Sequence, residues 1–273
     1  LQASGVNFDV IGFDACLMAT LETAQHMADC GQYMVASEET EPGYGWAYLN
    51  IVEYLSQNPN CTGAEVGQVI VDSYYEKCNA ANQAAIATLS VTQLDKVEAL
   101  SRAFDTMAGE MVIDTSNPST FRELTAGAKN AEYYAELGYN LIDLGDMVGQ
   151  CQNVLTQSAP QVLNTLTEAV VYQRNGRSRA GAHGLSVFYP LDATPNECSM
   201  YEKLCGESVN YLTYIDIVVE KWNGGYAQNG TAIIENPEHV EEETTYIEPG
   251  DYNVQFETRL LDTGFFQLQL TSG

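Results

Sequence analysis

Along most of the chain the apolar positions switch between strand and helix spacing. Residues 8–13 (FDVIGF) form a short apolar run entered from a glycine-containing turn, and they read as a buried strand. Leu17, Leu21, Ala24 and Met27 then fall on one helical face, which predicts a helix over 17–27 and puts Cys16 in the tight turn between strand and helix. A second strand is expected at 33–37, followed by an acid- and glycine-rich loop at 38–46. Helices are expected at 46–57 and 63–78, the latter capped by Thr62. A third strand at 84–90, a long amphipathic helix at 91–112 and helices at 139–158 and 160–173 follow. Residues 184–190 (GLSVFYP) are a strand stopped by proline, and 207–223 read as another helix.

Strands alternating with helices predict an α/β fold with a mainly parallel sheet flanked by helices. From Gly224 the pattern turns to Asn-Gly turns and short alternating runs, such as 252–256 and 266–270, which predicts a β-rich segment. The expected division is an α/β domain at 1–223 and the start of a β-rich accessory domain at 224–273, its last strand pattern continuing elsewhere.

Charge adds the next constraint. Eleven basic against 37 acidic residues give a net charge of −26. Such a field repels nucleic acid and anionic membranes and draws in cationic ligands, with plain solubility as the competing reading. No run of eighteen apolar residues occurs, so no membrane span is expected. Seven cysteines are too few for a disulfide scaffold in a chain of 273 residues, and an odd number leaves a thiol unpaired in an exported protein. Cys198 and Cys205 are close enough in sequence to pair. No Cys-x-x-Cys or His-x-x-x-His spacing supports a zinc site.

Ligands gather at the carboxyl ends of strands in open α/β sheets, where Cys16 is placed. The start of a helix would favour its thiolate, whereas a small buried cysteine at a strand–helix junction is the structural alternative. A cysteine nucleophile needs a base within hydrogen-bond reach. His26 lies about 15 Å along the predicted helix. His183 reads as a capping or loop residue, and His239 stands among Glu238, Glu241, Glu242 and Glu243 on a solvated face.

Residues 13–19 (FDACLMA) resemble the nucleophile motif of clostripain-like peptidases, of the caspase-like clan of cysteine proteases. Three further stretches match in order: 35–39 with Pro42, Gly45 and Trp46; 141–146; and 184–190. The resemblance spans residues 6–222 and implies a caspase-like sheet, of which 1–223 would be the C-terminal part. It implies a cysteine endopeptidase, secreted or at the surface of a bacterium, that cleaves after arginine and sometimes lysine. Cys16 would work in a dyad with a histidine upstream of residue 1, on a light chain released by autoproteolytic processing and held non-covalently. The resemblance makes Asp14 an acid of the specificity pocket; an N-cap is the alternative. A second pocket acid would come from Glu38, Glu39 or Glu41, unless these are simply solvated. Tyr44 and Trp46 would wall the groove, core packing being the alternative for Trp46. No cofactor is required; calcium is a candidate structural ion, although no Asp-x-Asp-x-Asp loop occurs. The competing functions are a non-catalytic caspase-like binding or cell-surface scaffold protein and a different thiol enzyme, such as an amidase.

Overall fold

The structure is a computed structural model that describes residues 1, 3, 5–193, 195–204, 208–229, 255–260 and 266–271. The chain divides into two compact units, Leu1–Ile234 and Glu235–Gly273.

The first unit is built on a four-stranded sheet in which β1 (Phe8–Gly12) is the edge, followed by β2 (Gly31–Ala36), β3 (Thr88–Gln93) and β5 (Val170–Asn175). Alternation along β2 divides the interior in two, because successive side chains leave a strand on opposite faces. Met34 and Ala36 join one core, with Leu100, Phe104 and Met107 of α4 (Val97–Asp114), Val162 and Leu166 of α7 (Ala159–Ala169), and Tyr211 and Tyr214 of α9 (Val209–Asn229). Val35 joins the other, with Ile70, Val71 and Tyr74 of α3 (Gly63–Ala80) and Leu89 and Val91 of β3. Helices therefore cover both faces, as the α/β reading requires. The start of α3 follows from its sequence: Thr62 and Glu65 form a reciprocal capping box.

Pairing in the sheet is mixed rather than mainly parallel. β1 and β2 run parallel, whereas β2–β3 and β3–β5 are antiparallel. A separate antiparallel pair joins β4 (Leu141–Asp143) to β6 (Ser186–Phe188). Part of the difference arises where a predicted helix contains a strand. The 160–173 pattern ends as helix at Ala169, and Val170–Asn175 then enters the sheet beside β3. Likewise 139–158 resolves into β4 followed by α6 (Leu144–Cys151), and the 91–112 helix starts at Val97 after a 3-10 turn at Leu94–Lys96. α5 (Pro118–Asn130) was not anticipated, although the Asn117 cap and Pro118 at the first turn are recognisable start signals. α8 (Pro195–Leu204) was not anticipated either.

The largest local difference lies beside Cys16. The helix expected from residue 17 begins only at Leu21, as α1 (Leu21–Met27), capped by Thr20. Leu17 has a positive φ of 63°, and the Leu17 and Ala19 N–H groups donate to the carbonyls of Glu39 and Ser37. Those donors are committed to the segment after β2, so residues 13–19 form a loop lying along 35–39.

In the first unit α9 continues through Asn229, past the expected change of pattern at Gly224. In the second unit β7 (Gln255–Leu260) and β8 (Phe266–Thr271) form an antiparallel pair. Residues 252–254 of the expected strand, with His239 and Cys205, lie outside the described residues.

Gly184, just before β6, ties the two sheets together. Its N–H donates to Glu38 Oε1 at 3.0 Å, and its carbonyl accepts from Ser90 Oγ of β3 at 2.7 Å. Its φ is +95°, and a Cβ there would stand 2.6 Å from the Val170 side chain. Gly184→Ala is therefore expected to lower stability by at least about 2 kcal/mol, through backbone strain and overpacking together, as measured by urea unfolding.

Candidate functional site

Two loops at the carboxyl ends of β1 and β2 build the site. The first, 13–19, carries Asp14 and Cys16; the second, 37–47, wraps around it. Their mutual hydrogen bonds continue the β1–β2 pairing, beginning with Phe13 N–H to the Val35 carbonyl at 2.9 Å. The Cys16 thiol is exposed. Its sulfur accepts from the Glu41 N–H at 3.2 Å and lies 3.8 Å from the Glu41 carbonyl. The thiol thus sits at a loop rather than a helix start, and the backbone of Glu41 fixes its position.

Asp14 is held by two donors to one oxygen: Oδ2 accepts from the Trp46 N–H at 3.1 Å and the Tyr48 hydroxyl at 2.9 Å. The same carboxylate lies against Gly45, where a Cβ would come within 2.6 Å of Oδ2, and Gly45 has φ +62°. Glu41 stands next to Asp14. Its Oε2 accepts from the Trp46 indole N–H at 2.9 Å, while its Oε1 is buried with no hydrogen-bond partner among the described residues. Burial, with the Asp14 carboxylate beside it, pushes Glu41 up from its ordinary value to about 8.

The expected pocket residues therefore separate. Asp14 and Glu41 come together beside Cys16. Glu38 and Glu39 turn the other way: both side chains are buried, with residue exposures of 2%. Glu39 pairs with Arg179 and accepts from the Thr40 and Ala135 N–H groups at 2.6 and 3.1 Å. Glu38 accepts from Gly184, and burial together with the neighbouring Asp143 pushes it well above the usual carboxylate range. The expectation that Glu38 and Glu39 face the substrate is thus corrected, because their oxygens are committed inside the protein. Trp46 is buried against α3 and β2 while its two N–H groups donate to Asp14 and Glu41, so it packs and positions at once. Tyr44 is 40% exposed on the rim, its ring 5.1 Å from the Lys77 ammonium.

Two histidines are among the described residues, and neither hydrogen-bonds Cys16. His26 Nδ1 contacts the Glu22 carbonyl of its own helix at 2.8 Å. His183 Nδ1 lies 2.8 Å from Asp143 Oδ1, and its backbone N–H donates to Asp143 Oδ2 at 2.7 Å. The hydrogen bond to Asp143 raises His183 above its ordinary value, which makes it a structural partner of a buried carboxylate. Asp143 in turn caps α6 and accepts from Tyr134, a role that sequence spacing alone did not reveal. Among the described residues no group of three or more His, Cys, Asp or Glu side chains is arranged to hold a metal ion.

A sequence profile of the clostripain family matches residues 1–228. Clostripain from Hathewaya histolytica is 24% identical over an alignment of 225 positions that covers 67% of this chain and 42% of that protein. The chain thus spans less than half the length of this relative. Among solved structures, a clostripain from Bacteroides thetaiotaomicron in complex with a peptide inhibitor superposes with a TM-score of 0.52 at 20% identity, over 78% of this chain and 90% of that one. An inactive zymogen C11 protease from Parabacteroides distasonis superposes with a TM-score of 0.57 at 18% identity, over 75% and 60%.

The raised value of Glu41 has a measurable sign. Its folded value near 8 lies above the ordinary 4.5, so between the two the folded chain holds a proton that the unfolded chain lacks. This contribution to stability is complete below about pH 4 and lost as the pH rises through about 8. Glu41→Gln is expected to flatten the decline of the urea midpoint between about pH 5 and 8.

Proposed function

This chain belongs to the clostripain family, and we propose that it is the cysteine-bearing part of an endopeptidase that cleaves after basic residues, arginine before lysine, with Cys16 as nucleophile. The observation that carries this reading is the exposed Cys16 thiol standing beside two adjacent carboxylates, Asp14 and Glu41. A guanidinium presents five donors in a planar fork and suits a pair of carboxylates better than an ammonium does. The Asp14 carboxylate, with the Glu41 carboxyl beside it, is the acceptor it would meet. On binding, the cation would replace the proton that Glu41 holds below about pH 8. A surface with net charge −26 would speed the approach of basic peptides.

In the proposed reaction the Cys16 thiol gives its proton to a histidine, and its sulfur attacks the carbonyl carbon after the basic residue, forming a tetrahedral adduct. Backbone N–H groups beside the thiol, that of Cys16 among them, would receive its oxyanion. The carbon–nitrogen bond breaks and the leaving amine takes a proton from a histidine, leaving a thioester that water hydrolyses.

The histidine would come from a segment upstream of residue 1, as a light chain produced by processing. Two observations support this: neither described histidine reaches Cys16, and among the described residues β1 is an edge strand paired with β2 alone. The open edge of β1 offers unpaired N–H and C=O groups to a preceding strand, next to the turn that holds the thiol. The bacterial secreted or cell-surface setting belongs to the same proposal. No helix among the described residues is long and apolar enough to cross a membrane.

Two measurements test the reading on the precursor-derived protein. An arginyl chloromethyl ketone is expected to alkylate Cys16, with protection by an arginine peptide, and Cys16→Ala is expected to abolish hydrolysis. Alkylation at another cysteine of the folded protein would transfer the site. Asp14→Asn is expected to lower kcat/KM for arginyl peptides by on the order of a hundredfold, the scale of one charged hydrogen-bonding partner lost. Labelling by neutral iodoacetamide should change little.

A further inference from the structure

We propose that Lys77, in the last turn of α3, is a positioning residue for the specificity pocket, acting on Asp14 through a single peptide plane. This inference rests on the reading of Asp14 and Cys16 given above. The Lys77 ammonium donates to three consecutive carbonyls: Tyr44 at 2.9 Å, Gly45 at 2.9 Å and Trp46 at 3.0 Å. An ammonium has three N–H donors, so its capacity is fully used. Three carbonyls in a row converge on one point because Gly45, between the other two, has φ +62°, a conformation that glycine adopts without strain.

The peptide between Gly45 and Trp46 is gripped from both sides. Its carbonyl accepts from Lys77, and its N–H donates to Asp14 Oδ2 at 3.1 Å. The line thus runs from ammonium to amide to carboxylate, and hydrogen bonds in such a chain polarise one another. The ammonium draws electron density toward the carbonyl, which strengthens the N–H as a donor to Asp14. Trp46 passes the constraint to the second acid, because its indole N–H donates to Glu41 Oε2 at 2.9 Å. One lysine outside the pocket, one of 11 basic residues against 37 acidic ones, therefore sets where both pocket acids stand.

The test compares Lys77→Met and Lys77→Arg with the unmodified precursor-derived protein. Lys77→Met is expected to raise KM for an arginyl peptide by on the order of tenfold, with kcat changed much less, as for a lost charged hydrogen bond that positions substrate. A substrate with a neutral side chain at the cleavage position should keep its KM, as should the rate of iodoacetamide labelling at Cys16. A planar guanidinium cannot match three carbonyls converging on one point, so Lys77→Arg should recover only part of the loss. That variant keeps the charge and serves if Lys77→Met fails to fold. An unchanged arginyl KM, or an equal rise for the neutral substrate, would overturn the proposal. If the unmodified protein hydrolyses no arginyl peptide, the peptidase reading fails separately. The backbone and indole amide resonances of Trp46, identified with Trp46→Phe, then decide the clamp: a shift in Lys77→Met supports it and unmoved resonances reject it.

Discussion

Two consecutive glutamates at the end of β2 run into the protein interior, and much of the surrounding structure answers the demand this makes. A carboxylate taken from water must be paired, multiply hydrogen-bonded or protonated. Glu39 is paired, with Arg179, which also holds Glu132 at 2.8 Å. Glu38 accepts from Gly184, and burial with Asp143 beside it pushes its carboxyl well above the ordinary range. Asp143 is satisfied by Tyr134, His183 and the N-terminus of α6. Segments distant in sequence, 37–39, 132–146 and 179–184, are thereby fastened at one place.

That buried cluster supports the site from below. With 37–39 anchored, its carbonyls are free to accept from Leu17 and Ala19, and this holds the Cys16 loop open instead of letting it wind into α1. An exposed thiol results. The same chain then emerges at Glu41, whose backbone touches the sulfur and whose side chain joins Asp14. Five residues from 37 to 41 thus pass from the core to the exposed thiol, and neighbouring acids along them have opposite surroundings.

Much of the architecture was legible in the sequence. The alternation of β2, the capped start of α3 and the run ending at β6 each depend on local periodicity or local hydrogen bonds. The resemblance in residues 13–19 and in three later stretches led to the family that the profile match establishes over residues 1–228. The division of 139–158 and 160–173 into helix and strand escaped, because short apolar runs satisfy either period and only the pairings of β4 with β6 and of β5 with β3 settle which applies.

By itself the sequence determined which residue types were available near the thiol: Asp14 two places before Cys16, and three glutamates in the loop after β2. Their chemistry is carried by the residues themselves. Only the tertiary structure decided among them, since burial and partners belong to space rather than spacing. Glu38 and Glu39 differ from Glu41 by two or three positions, yet Gly184 and Arg179, some 140 residues away, claim the first two. The helix start was decided in the same way. Leu17 fits a helical face, but the carbonyls of 37–39 offered its backbone better partners than a first helical turn, which leaves its own N–H groups unsatisfied.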